Sequence, residues 1–439
     1  MSKSGPAKIT RIALSNELTR GGLQTLGVNI VAVGLGFLAQ LILARTLGLI
    51  EYGTLVYAIT TVAFLLLPAV FGLDAVAARF IAIYSGKKQK KLLIHLLYWL
   101  RWRVLKYSVI TTIASSAVLL LIISIDGFQN WSVMLIVICG IPFQAVSILR
   151  QGILRGFKKA ALSVTPEGIF RPFFTTILVI ACWLVLPDLF DARIGAGIHV
   201  LVSILAMWIG HIFLGWFVPG RAKLPVSETQ ALLWKSMAWS SLITGVANSI
   251  HAQADIWMLG TLLGSKYVGP YSAAAKYSLF VIFGMNAMNT MLGPMIVRVA
   301  DKPDELQQLV KRSSMISMIL GGTFAIILFM APEFFLNFYG KGFNESALSM
   351  RILVTAQVLN ITCGSVGMLL AMTGHHALLM KILVSSMILD IVLNAVFIPQ
   401  WGMAGAAMAT AFAIMSWNLL ALMMVRHHLR IRPTFGGLF

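Results

Sequence analysis

Apolar stretches of about 20 residues recur along this chain from Gly22 to Met424, and no other feature constrains its fold as strongly. About 20 helical residues cross a bilayer core about 30 Å thick. The predicted spans are 22–44, 53–73, 107–125, 131–149, 168–186 and 195–217, then 240–263, 269–292, 314–338, 347–372, 378–398 and 404–424. A transmembrane β-barrel would alternate apolar and polar residues in segments of about ten. Unbroken runs such as residues 108–125 exclude it. The expected fold is therefore an all-α polytopic membrane protein of about twelve transmembrane helices.

With 59% hydrophobic and 11% charged residues, the 439-residue chain has too little charge to cover a water-soluble fold. Its net charge of +19 could suggest nucleic acid, but the basic residues lie in short connections between apolar runs. Placing the positive loops inside puts about 28 Lys and Arg in the cytoplasm, about five outside and Lys276 within a span. Both termini are then cytoplasmic. The apolar run after Lys3, Lys8, Arg11 and Arg20 is too long for a cleaved signal peptide, so it reads as a retained first helix. Cys139, Cys182 and Cys363 lack metal-ligand spacing and are expected to be small buried apolar side chains.

The longest cytoplasmic connections are 74–106, 221–235 and 297–313. The first gathers Lys87, Lys88, Lys90 and Lys91 ahead of Trp99, Arg101, Trp102, Arg103 and Lys106. Such a mixture suits the headgroup region, either as a docking patch for a partner or anionic lipid carrier, or as a solvated topology anchor.

An internal repeat divides the chain near residue 228. Leu47-Gly48 is followed by Gly53, and 216 residues later Leu263-Gly264 is followed at the same spacing by Gly269. Arg155-Gly156 and Thr373-Gly374 match at nearly the same offset. Six spans return the chain to the same side, so the repeats are parallel and related by a pseudo-two-fold axis along the membrane normal. The expected domains are a basic N-terminus (1–21), a six-helix bundle (22–218), a linker (219–237), a second six-helix bundle (238–425) and a basic tail (426–439). The substrate path is expected between the halves.

Ionisable groups inside spans are functional hypotheses by default, because hydrocarbon does not tolerate them. On the seventh span Ser241, Thr244, Asn248, His251 and Asp255 fall within about 80° of arc, one polar stripe on an apolar helix. Its repeat partner, the first span, carries Gly22, Asn29, Gly36 and Gln40, which serve either a cavity or close helix packing. Lys276 on the eighth span lies at the depth of Asp255, so the two can pair, structurally or as groups sensing substrate or a coupling ion. Ser386, Asp390 and Asn394 share a face of the eleventh span. Glu167 and Arg171 stand at i,i+4, with Arg150 and Arg155 on the same side; these arginines either bind cargo or snorkel to headgroups. His375-His376 reads as surface. No Walker loop, zinc-binding histidine pair or nucleophile elbow is present in the sequence.

Leu43-Ala44-Arg45-Thr46-Leu47-Gly48 with Glu51-Tyr52-Gly53 resembles the first hairpin of polysaccharide flippases of the multidrug/oligosaccharidyl-lipid/polysaccharide exporter superfamily. Similar motifs are Gln151-Gly152-Ile153-Leu154-Arg155-Gly156, Pro166-Glu167 with Arg171-Pro172, Ala254-Asp255-Ile256 through Val268-Gly269-Pro270-Tyr271, and Asn394 through Ile398-Pro399, Gly402 and Gly405-Ala406-Ala407. The resemblance spans nearly the whole chain, although many relatives have about fourteen helices. It implies two six-helix bundles opening alternately to each side, and an oligosaccharide on a polyprenyl pyrophosphate as cargo. Cavity cations would then neutralise the pyrophosphate, and groups such as Asn248 would bond sugar hydroxyls.

Three function classes compete. A lipid-linked oligosaccharide flippase of surface polysaccharide (O-antigen-type) assembly in a bacterial inner membrane fits best. A cation-coupled multidrug exporter would want an acidic cavity, whereas here Lys276, Arg171 and Arg45 balance Asp255 and Asp390. A membrane polymerase or ligase would want a sizeable outer loop. A peptidoglycan lipid precursor is an alternative cargo. No enzyme activity, resident cofactor, metal or nucleic-acid partner is expected; H+ or Na+ is the coupling ion to consider. Membrane lipids and other polysaccharide-assembly proteins are the expected partners.

Overall fold

The computed structural model describes residues 6–126, 131–217 and 228–431, and every regular element among them is helical. The order is α1 (Pro6–Val70), α2 (Leu73–Gly86), α3 (Lys90–Asp126), α4 (Ser132–Ile138), α5 (Ile141–Gly156), α6 (Ala160–Thr165), a π-helical turn (Pro166–Phe170), α7 (Arg171–Val185) and α8 (Ala192–Gly215). There follow α9 (Glu228–Leu263), α10 (Ser265–Val299), α11 (Pro303–Met330), α12 (Pro332–Asn337), α13 (Ala347–Cys363), α14 (Val366–Met372) and α15 (His376–Leu429). Seven of the described helices are long and apolar enough to cross a bilayer, or eight when the bent α4–α5 pair counts as one span. The chain is a multi-pass membrane protein. Two of the seven are broken into arms at glycines with positive φ, α1 at Gly48 (φ 76°) and α15 at Gly402 (φ 57°). α9, which carries the polar stripe, and α10, which carries Lys276, are not among the seven.

Large apolar side chains point outward, as lipid requires: Ile113 is 64% exposed, Leu121 68% and Val185 75%. Inside, small residues let backbones meet. Gly152 and Gly156 of α5 lie one turn apart and press on α2; a Cβ at Gly152 would collide with the Asp74 carbonyl, and one at Gly156 would stand 2.7 Å from Ile81. The chain forms two compact units. The first comprises Met1–Ile42 and Val62–Gly245, the second Leu43–Thr61 and Val246–Phe439. The middle of α1 therefore packs with the second unit. That unit's core includes Leu259, Tyr271, Leu353, Ile398 and Ala406, with a separate cluster around Leu292, Ile296, Leu306, Leu369 and Val425.

Several sequence expectations change. The 74–106 connection is almost wholly helical, because α2 and α3 are joined by a tight turn at Lys87–Gln89 with Lys88 left-handed (φ 54°). At 37 residues α3 is about 55 Å long, so its basic end continues beyond a bilayer core. The tenth predicted span is interrupted at Gly364 (φ 73°). The first repeat match is structural: Gly48 (φ 76°, ψ 177°) and Gly264 (φ 94°, ψ 165°) adopt one backbone conformation. The second is not, since Gly374 is left-handed (φ 87°) whereas Gly156 is helical and Lys158 takes that role (φ 62°). Cys139 is exposed and Cys182 and Cys363 only half-buried, because lipid rather than protein covers these faces; all three are free. Residues 219–227 of the linker and 432–439 of the basic tail lie outside the described residues, and the rest of the linker, 228–237, is the start of α9.

Candidate functional site

In the second unit α9 directs Asp255 inward. Its carboxylate accepts from the Tyr271 hydroxyl (2.6 Å), the Thr410 hydroxyl (3.2 Å) and the Ile256 N–H (2.8 Å). The first arm of α15 presents Asp390 and Asn394, both buried, with the Asn394 amide donating to the Asp390 Oδ1 (3.0 Å) and to its carbonyl (2.9 Å). Ser386, on the same face, donates to the Ala413 carbonyl of the second arm (2.9 Å). Asp390 is near enough to Asp255 for the two charges to interact. Two carboxylates thus share a buried site whose hydrogen-bond donors are hydroxyls and amides. Tyr271 and Thr410 were not singled out as site residues from sequence. Tyr271 ends the Val268-Gly269-Pro270-Tyr271 motif, and Thr410 stands one turn past the small residues Gly405-Ala406-Ala407.

The expected Asp255–Lys276 pair does not form. Lys276 reaches the Tyr52 hydroxyl instead (3.0 Å), with its ammonium 5.6 Å from the Tyr52 ring centre. Tyr52 is itself packed on Tyr339 and Phe343. The polar stripe of α9 also divides. Ser241 and Thr244 belong to the first unit and Asn248 onward to the second. Asn248 is exposed, while His251 contacts the Leu383 carbonyl (3.0 Å).

The first unit holds a different set. Arg155, exposed at the end of α5, pairs with Asp74 (3.0 Å). About one and a half turns earlier on the helix Arg150 is buried and pairs with Glu167. The expected i,i+4 ion pair of Glu167 with Arg171 is absent: a π-helical turn covers Pro166–Phe170, and Glu167 is taken by Arg150. Arg171 instead donates to the His199 ring of α8 (2.8 Å to Nε2). His199 is a partner the sequence reading did not name. It could have been found only as a second ionisable group inside a span. Asn29 and Gln40 on α1 are half-buried.

The basic–aromatic region of α3 is sorted by its helix. Trp99 packs on Trp234 (5.3 Å) beneath Arg103, while Trp102 is 62% exposed. His375 contacts Thr373 and the His428 ring, yet no group of three His, Cys, Asp or Glu among the described residues is placed to hold a metal.

These elements define a helical integral membrane protein built from two units, each with ionisable side chains inside its spans. The sequence profile of the polysaccharide biosynthesis protein family matches residues 18–300, and the chain belongs to that family. Over 406 residues it is 22% identical to a probable low-salt glycan biosynthesis flippase, Agl15, of Haloferax volcanii, covering 90% of this chain and 81% of that one. Its fold is that of solved transporters. It superposes on the lipid II flippase MurJ in an inward closed conformation with a TM-score of 0.71 at 14% identity, covering 91% and 86% of the two chains. A multidrug resistance MATE family transporter of the MOP superfamily, inward-facing, gives 0.68 at 13% identity over 93% and 94%. A MOP superfamily transporter from Pyrococcus furiosus, whose binding pocket is of reverse polarity, gives 0.64 at 13% identity over 94% and 95%.

Proposed function

We propose that this chain flips a polyprenyl-diphosphate-linked oligosaccharide from the cytoplasmic to the outer leaflet of a bacterial plasma membrane during surface polysaccharide assembly, by alternating access between two six-helix halves. The observation that carries this reading is a family of polysaccharide biosynthesis represented by a chain made almost wholly of membrane helices. Two connections on the side assigned as outer are short, Leu186–Asp191 between α7 and α8 and Gly264 alone between α9 and α10, while residues 331–346 between α11 and α13 hold the short helix α12. Moving a glycan lipid needs an enclosed polar path and no covalent chemistry.

The cargo's glycan and diphosphate need polar partners, and the polyprenyl tail can stay in lipid. Asn248, exposed on α9, offers an amide to sugar hydroxyls. Asp255 and Asp390 offer a cation-coupling site, because two buried carboxylates without a basic hydrogen-bond partner call for a proton or a monovalent cation. In the proposed orientation both termini are cytoplasmic.

The test is translocation by purified full-length protein in proteoliposomes loaded with a polyprenyl-diphosphate oligosaccharide. The expected result is protein-dependent appearance of the glycan on the opposite leaflet. Transport of organic cations or of a peptidoglycan lipid precursor instead would move the assignment to another class.

A further inference from the structure

The two ends of α15 meet. His375 caps its start and His428 lies in its last turn, yet their ring centres are only 5.0 Å apart, because the break at Gly402 turns the second arm back along the first. Apolar packing fixes this meeting. Leu369 and Leu370 of α14, Leu378 at the start of α15, and Val425 and Leu429 at its end belong to one cluster. The turn before His375 is equally fixed: Gly374 is left-handed (φ 87°), and the His375 N–H donates to the Leu370 carbonyl (2.9 Å).

The hydrogen bonds assign the proton on each ring. His428 Nδ1 lies 3.0 Å from the Met424 carbonyl oxygen, which can only accept, so Nδ1 carries the N–H. His375 Nδ1 lies 3.1 Å from the Thr373 hydroxyl oxygen. That hydroxyl has one proton and directs it to the Leu369 carbonyl (2.8 Å), so it accepts from His375 Nδ1–H. Each neutral ring therefore presents its Nε2 lone pair, and neither Nε2 has a hydrogen-bond partner among the described residues. Metal-ligating histidines are held in this way, with one nitrogen on the ion and the other N–H fixed by an oxygen acceptor.

We infer that His375 and His428 ligate one divalent transition-metal ion through their Nε2 atoms, with water completing its coordination, and that the ion ties the two ends of α15 together. At Zn–N distances of about 2.0–2.1 Å, two imidazoles on one tetrahedral ion have ring centres about 5 Å apart, and the observed separation matches. Imidazole suits Zn2+, Ni2+ and Cu2+, whereas Mg2+ takes oxygen ligands. His428 is exposed and His375 half-buried, so an ion reaches them from water. Stacking alone requires no particular tautomer, and here both rings are set to the one that leaves a ligand atom free. The ring of His427 is 4.9 Å from that of His428, but consecutive residues on a helix point about 100° apart, so it is not counted as a ligand. The site is independent of the cargo.

The experiment titrates purified full-length protein without a histidine tag with ZnCl2, following heat release and Tm, with MgCl2 as the second arm. Wild type is expected to bind one equivalent of Zn2+ saturably and to gain Tm with Zn2+ but not with Mg2+. His375→Ala and His428→Ala should each weaken Zn2+ binding by at least about tenfold, since each removes one of two protein ligands. His427→Ala, and His211→Ala on α8 of the first unit, should stay within about twofold. Thr373→Val leaves both imidazoles in place but removes the acceptor that fixes His375, so a loss of about tenfold is expected, with Thr373→Ser binding as wild type does. This pair carries the test if an alanine variant does not assemble. Absence of a saturable Zn2+ site in wild type would overturn the assignment. So would losses of no more than about twofold in both His375→Ala and His428→Ala, or an equal loss in His211→Ala, since the histidines would then bind Zn2+ as independent surface groups.

Discussion

A Cβ on Gly269 would stand 2.8 Å from the carbonyl oxygen of Leu49. The reciprocal holds across the repeat, where a Cβ on Gly53 would collide with the carbonyl of Ser265. Leu49 and Ser265 each follow a positive-φ glycine, Gly48 and Gly264, so two equivalent turns interlock by glycine in the second unit. The Thr54 hydroxyl donates to Ser265 Oγ (3.0 Å) and Tyr57 meets Thr261 (3.1 Å), extending the contact along both helices.

Gly53→Ala and Gly269→Ala should each cost about 1–3 kcal/mol by forcing these turns apart, and should lower glycan export. Gly36→Ala, which meets open space, should be neutral or slightly stabilising as a helix substitution. Thermal unfolding in detergent reads both. Equal Tm values for all three variants would mean that the turn packing contributes nothing.

The buried pair of the first unit makes a second prediction. Arg150→Met leaves Glu167 without its partner and should destabilise by about 3–5 kcal/mol, whereas Arg150→Met with Glu167→Gln should recover most of the loss. If the double variant is as unstable as the single, the arginine acts through packing on Gly210 rather than through its charge.

In the second unit the coupling reading predicts that Asp390→Asn assembles normally but loses the dependence of export on a proton or sodium gradient. Asp255→Asn should behave likewise, since the amide oxygen can still accept from Tyr271. The measurement is export in vesicles with each gradient collapsed in turn. Unchanged gradient dependence in both variants would remove the pair from coupling.

Accessibility separates the residues of the α9 stripe. Asn248→Cys should react with small water-soluble thiol reagents, and Asp255→Cys, at 8% exposure, should be protected in this conformation. Equal protection at both positions would make Asn248 a lipid-facing residue and withdraw it from sugar binding.

The proposed orientation is checked by impermeant labelling of whole cells. Lys266→Cys, next to the α9–α10 turn, should be modified from outside and Lys88→Cys only after permeabilisation. The reverse pattern would invert the assignment of sides.

The sequence by itself determined the solvent, the fold class and the repeat. Runs of about 20 apolar residues have no other stable destination than a bilayer, and hydrogen-bond satisfaction in lipid leaves helices. It also identified Gly48 and Gly264 as equivalent, because positive φ selects glycine wherever it is required. It picked out Asp390 and Asn394 as a shared face, since residues four apart on a helix must lie together. Which charge meets which partner was decided only by tertiary structure. Asp255 went to Tyr271 and Thr410 rather than Lys276, and Glu167 to Arg150 rather than Arg171. Helical periodicity fixes the direction of a side chain on its own helix, but the choice among neighbours depends on rotations and approaches between helices. Those were set at places such as Gly210 and Gly168, where a missing Cβ lets the Arg150 guanidinium or the Ala32 methyl take the space.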